Sequence, residues 1–172
     1  MKRIFLITTL LVVSTLLFAQ NNDELLDARP VNSININLLG DASIVSINYE
    51  RQYSIVPGLI LTGKMGVGIQ EEFQLCFSEP CVTSPDNYVT IPQHITLNRG
   101  NKRHFFELGF GGTLIGGHQT LAYIIYPIVG YRFLPLQSDR FNFRIFGQIP
   151  LVELGTNYIL FIPFGLSLGI SF

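Results

Sequence analysis

From Ile162 to Phe172 the chain alternates without a break. Ile162, Phe164, Leu166, Leu168, Ile170 and Phe172 are apolar, while Pro163, Gly165, Ser167, Gly169 and Ser171 between them are small. Successive side chains of a strand point to opposite faces, so this segment has one apolar side and one nearly volumeless side. A strand with one wet face would carry Lys, Glu or Thr there. Small residues suit the crowded interior of a narrow barrel whose outer wall meets lipid.

Composition narrows the choice. The chain has 172 residues, enough for one domain, and only 13% are charged, about half the usual share of a soluble domain. Apolar residues make up 48% and the mean hydropathy is +0.37. After residue 20, however, no run approaches the roughly 18 apolar residues of a spanning helix. A net charge of −1 gives no footprint for a nucleic-acid partner.

Lys2 and Arg3 precede an apolar run from Ile4 to Ala19, and polar residues follow from Gln20 to Glu24. That order is the pattern of a secretory signal, with cleavage expected after Ala19. The competing reading is an uncleaved helical anchor. The expected organisation is a signal peptide over 1–19, a periplasmic lead-in over 20–31 and one β-domain over 32–172. In an exported chain Cys76 and Cys81 read most simply as a disulfide. Metal binding is the weaker alternative, since no nearby His or second Cys pair completes a zinc set.

The same two-residue rhythm recurs upstream. Strands are expected over 32–39, 43–53, 58–69, 88–98, 104–114, 121–133 and 140–149, with the closing strand after a connection at 150–158. Ile34, Ile36, Val45, Ile47, Leu61, Val67, Ile95, Leu97, Phe106, Leu108, Val129 and Ile145 share one parity. Ser33, Asn35, Asn48, Thr62, Gly66, Thr96, Gly109 and Asn142 share the other. Gln93 falls on the apolar side as an exception. The sum is about eight antiparallel strands, an even number that lets the first pair with the last and satisfies the backbone in lipid. Turns near 54–57, 99–102 and 134–139 then lie on one rim. Connections near 40–42, 70–87, 115–118 and 150–158 lie on the other. Tyr49, Tyr53, Phe106, Tyr131, Phe133, Phe141 and Phe172 face outward near the first rim, where an interfacial girdle belongs.

Glu50, Lys64, His94, Glu107, Arg132 and Arg144 have inward parity. A narrow lumen forces such charges to pair, because an unpaired buried charge costs several kcal/mol. A hairpin centred on 99–102 sets Glu107 directly opposite His94. The bland reading is a structural plug of ion pairs; the functional one is a proton or solute pathway. Chemistry elsewhere is thin. His118, Ser43 and Asp41 fall on the outer rim, but no spacing joins them into a catalytic set. The glycine clusters lack the Lys-Ser/Thr of a phosphate-binding loop. No enzyme, cofactor or metal site is expected.

Strand count, loop asymmetry, polar-in and apolar-out parity and a terminal Phe172 together resemble the small eight-stranded bacterial outer-membrane β-barrels typified by the outer membrane protein A transmembrane domain. The resemblance implies an all-β, up-and-down transmembrane barrel in the outer membrane, inserted by the barrel-assembly machinery. It also implies a structural or surface-interaction role, with an extracellular partner reached through the 70–87 loop. A small porin-like pore, a lipid-modifying enzyme and a soluble lipocalin-like binder are the alternatives. Fold does not settle among them.

Overall fold

The structure is a computed structural model that describes residues 29–71, 87–117, 121–136, 140–154 and 161–172. The strands are β1 (Asn32–Leu38), β2 (Val45–Val56), β3 (Leu59–Glu71), β4 (Asn87–Asn101) and β5 (His104–Gly116). They continue with β6 (Leu121–Phe133), β7 (Phe141–Gln148), β8 (Val152–Leu154) and β9 (Phe164–Ser171). Each pairs antiparallel with its neighbours, and β1 pairs with β9 from Ser33↔Ser171 to Leu38↔Leu166, so the first and last strands close the sheet on itself. The result is a closed eight-stranded antiparallel barrel.

Nine segments make eight staves because β7 and β8 share one. β6 pairs with β7 as far as Ile128↔Gln148 and with β8 from Ile125↔Val152. Between them the Leu151 amide donates to the Ile125 carbonyl at 2.9 Å, which carries the ladder across the break. The expectation of one strand over 140–149 followed by a connection is therefore corrected. The stave resumes beyond Pro150, which has no amide to donate and tolerates only such an interruption. Residues 155–160 lie outside the described residues.

The apolar parity set is the outer wall. Ile47, Val67, Ile95, Phe110 and Ile170 are all exposed, as are Tyr49, Tyr53, Phe106, Tyr131, Phe141 and Phe172. Ser33, Asn35, Asn48, Thr62, Thr96, Asn142 and Ser167 are buried on the inside. Side chains inside are packed tightly enough that some positions admit no Cβ. A Cβ on Gly66 would lie 2.1 Å from Asn48 Oδ1 and 2.5 Å from the Ile47 carbonyl oxygen. The second clash is with backbone of the paired strand, which cannot swing away. Gly66→Ala should therefore destabilise the barrel by about 1–3 kcal/mol, read as a lower urea midpoint for unfolding.

Two apolar clusters sit inside the barrel. Ala42, Ile115, Ala122, Ile124, Tyr126, Ile128 and Phe146 form one, flanked by Tyr88 and Phe161. Ile60, Phe105 and Leu134 form the other, at the end that holds the 57–58 and 102–103 turns. Arg29 crosses that end: its guanidinium lies 4.9 Å from the Phe105 ring centre and donates to the Lys102 carbonyl. The lumen is thus polar in the middle and greasy towards both mouths.

Candidate functional site

Glu50 on β2, Lys64 on β3, His94 on β4, Glu107 on β5, Arg132 on β6 and Arg144 on β7 are all buried inside the barrel. They form two linked groups. In the first, Arg132 bridges two carboxylates: Nη1 donates to Glu50 Oε1, and Nη2 donates to Glu107 Oε1 at 3.0 Å. Arg144 Nε donates to Glu107 Oε2 at 2.5 Å. Gln52 Nε2 adds a contact of 3.2 Å to Glu50 Oε1. Two guanidinium groups and two carboxylates so arranged cancel one another's charge, which is what a low-dielectric interior demands.

The second group is organised by a residue the sequence placed elsewhere. Asp41 is fully buried, and its carboxylate reaches down the lumen from the β1–β2 turn. Lys64 Nζ lies 2.9 Å from Asp41 Oδ2, and Asn37 Nδ2 donates to the same oxygen. His94 Nε2 is 2.9 Å from Asp41 Oδ1 and 3.1 Å from the Tyr126 hydroxyl. Arg144 Nη2 is 3.4 Å from His94 Nδ1 and links the two groups. An arginine nitrogen can only donate, so Nδ1 accepts and the ring proton sits on Nε2, facing Asp41 and Tyr126.

The turn that delivers Asp41 is strained. Leu39, Gly40, Asp41 and Ala42 all have φ between 50° and 70°. The Ser43 amide donates to the Gly40 carbonyl at 2.8 Å, which closes a turn with positive φ at both central residues. Such a turn favours Asn-Gly at its centre, and Asp41-Ala42 is a poor substitute. Each non-glycine residue held left-handed costs about 1–2 kcal/mol. The contacts that hold the turn inward compensate. Thr113 Oγ1 donates to the Asp41 carbonyl at 2.8 Å, and the Ser43 and Thr90 hydroxyls lie 2.6 Å apart. Gly40 is needed for space as well, since its Cβ would meet the Gly165 Cα at 3.1 Å.

Two expectations are corrected by this geometry. Glu107 does not face His94: Glu107 pairs with Asn98 and Gly130, while His94 pairs with Lys64 and Gly111. The reason is that Arg99, Gly100 and Asn101 belong to β4, so the hairpin turns at Lys102 and Arg103 and its register shifts. Asp41 and Ser43 do not lie on the outer rim, because the turn folds into the lumen. Gln93, the exception in parity, does face outward. It sits in a wall groove of about 520 Å³ with Tyr49, Met65, Phe110 and Tyr123, over Gly63 and Gly112. Cys76, Cys81, His118 and most of the 70–87 connection lie outside the described residues.

Phe146 is a further participant that charge-based reading overlooked. The Arg144 guanidinium lies 4.0 Å from its ring centre and Lys64 Nζ lies 5.6 Å from it. The inward parity of Phe146, two residues on from Arg144, was the available signal. A ring between two cations stabilises both through its π-face and blocks the lumen above them.

No family model, curated protein or solved structure matches the chain. What the lumen can do therefore rests on its own chemistry. Among the described residues no His, Cys, Asp and Glu cluster has metal-binding geometry. The arrangement is a network of buried ion pairs, in which Asp41 Oδ1, Arg132 Nε and Arg144 Nη1 lack a hydrogen-bond partner among the described residues, closed off by apolar residues at both ends.

Proposed function

We propose that the protein is an integral outer-membrane barrel with a plugged lumen, serving envelope structure or surface interaction. In this reading residues 1–19 direct export and are removed, and the barrel-assembly machinery inserts the remainder, as the resemblance to small outer-membrane barrels implies. The connection at 70–87 is the arm that meets an extracellular partner. The observation that carries the reading is the outer wall: Ile, Val, Leu and Phe side chains are exposed on staves all round the barrel while the polar parity set is inside. In water such a surface would be a continuous aggregation hazard; in lipid it is the matching solvent.

Three alternatives lose support. A soluble lipocalin-like binder needs a wet exterior and a greasy ligand chamber, the reverse of this distribution. A constitutive pore needs a continuous aqueous path, and ion pairs with apolar closures at both ends oppose one. A lipid-modifying enzyme needs Ser and Asp on the rim, whereas Asp41 and Ser43 are turned inward.

The test is cell fractionation followed by electrophoresis with and without boiling. The protein is expected in the outer-membrane pellet, running faster unboiled because the closed barrel survives detergent. Recovery as a soluble periplasmic monomer would discard the membrane reading.

A further inference from the structure

We propose that residues 39–42 are a lid over a small-carboxylate site, in which the Asp41 side chain is a tethered occupant that a free carboxylate replaces when the turn lifts. This does not rest on the membrane reading, since the cradle is the same whether lipid or water surrounds the wall.

The cradle is a built carboxylate receptor, because it already holds a carboxylate. Lys64 Nζ and Asn37 Nδ2 meet one oxygen and His94 Nε2 meets the other. All three donors project from the barrel wall on β1, β3 and β4, and Asp41 alone comes from the turn. Removing Asp41 would leave Lys64 buried with its charge uncompensated, so the site demands an anion of that size. A second observation concerns the occupant. The backbone that carries it has four successive residues at positive φ, three of them not glycine. A two-residue turn needs positive φ only at Asp41 and Ala42; the left-handed Leu39 and the buried acid go beyond what joining β1 to β2 requires. Strain over-determined by surrounding contacts marks switch and ligand sites.

The approach that a lid would control runs past the turn. Below the site the Glu107 pairs with Arg132 and Arg144 fill the lumen. Above it, among the described residues, stand the turn, packed through Gly40 against Phe146 and Gly165, and the apolar cluster around Ile115 and Ile124. Lifting the turn opens a blind vestibule rather than a channel, which suits binding and not transport. One carboxylate of acetate size replaces the Asp41 head group with the same three donors.

The experiment uses the full barrel folded in detergent, with Cys76 and Cys81 changed to Ser, and acetate as the probe against chloride at equal ionic strength. Asp41→Gly removes the tethered acid and accepts positive φ, so the turn is retained. This variant should show saturable acetate-dependent thermal stabilisation, and adding Lys64→Met should abolish it. In the otherwise native barrel, Ala42→Cys reports the lid, since Ala42 is buried only while the turn is down. Its labelling by a maleimide should rise severalfold with acetate and not with chloride. Absence of either effect overturns the proposal. If the Ala42→Cys barrel fails to fold, amide hydrogen exchange of residues 39–43 in the native chain replaces it, with the same two outcomes.

Discussion

Glu107→Ala should lower the stability of the barrel by about 3–5 kcal/mol, the largest loss expected from any single polar change. Glu107 is fully buried and, among the described residues, is the one carboxylate that touches both Arg132 and Arg144. Its removal leaves Arg132 with Glu50 alone and takes from Arg144 its carboxylate partner. The cost is then the desolvation of a guanidinium that is left uncompensated, more than the loss of one contact. A double-mutant cycle separates the two. Arg144→Met in the Glu107→Ala background removes the stranded charge and should restore part of the loss, so the two changes will be non-additive. The chain has no Trp, so the urea midpoint is best followed by the gel shift of the folded band or by circular dichroism.

Sequence parity was enough to separate wall from lumen. Glu50, Lys64, Arg132 and Arg144 stand on the same side of their strands as Ser33, Asn48 and Thr62, and two-residue alternation does not depend on where a strand ends. Closure followed from the same rhythm, since an even set of antiparallel staves brings β1 beside β9. Register was not legible. Arg99, Gly100 and Asn101 look like turn residues, yet they pair with Phe106, Phe105 and His104. Lys102 supplies the positive φ that a two-residue turn needs, and no pattern rule singles out a lysine for that. Asp41 was misplaced for a related reason. A Gly-Asp-Ala turn between two strands reads as exposed, and the donors waiting on β1, β3 and β4, with Thr113 on β5, pull it inward. The apolar closures were hidden because Phe105, Ile60 and Phe146 break the polar-in rule near the mouths. There the barrel needs volume to exclude water more than it needs hydrogen bonds.

Ile95→Arg tests the solvent outside the wall, and its outcome differs sharply between lipid and water. Ile95 is 67% exposed, lies midway along β4, and has Gly63 and Phe110 as its neighbours across the sheet. A guanidinium there meets no partner carboxylate on the apolar face. If acyl chains surround the wall, the substitution should cost about 2–4 kcal/mol, the range for Arg at the bilayer midplane. If water does, a surface exchange of this kind stays within about 0.5 kcal/mol. Val89 supplies the control, because it has the same outward parity on the same strand and is also exposed. It lies about 20 Å along the strand towards the other rim at the usual strand rise. Val89→Arg near the interface should cost only about 0–1 kcal/mol in lipid, since the side chain can reach the head groups. The expected result is therefore a gradient with depth when unfolding is measured from phospholipid vesicles: a large loss at Ile95 and a small one at Val89. Equal, small effects at both positions would mean that the greasy wall faces water or another protein surface, and the membrane assignment would fall.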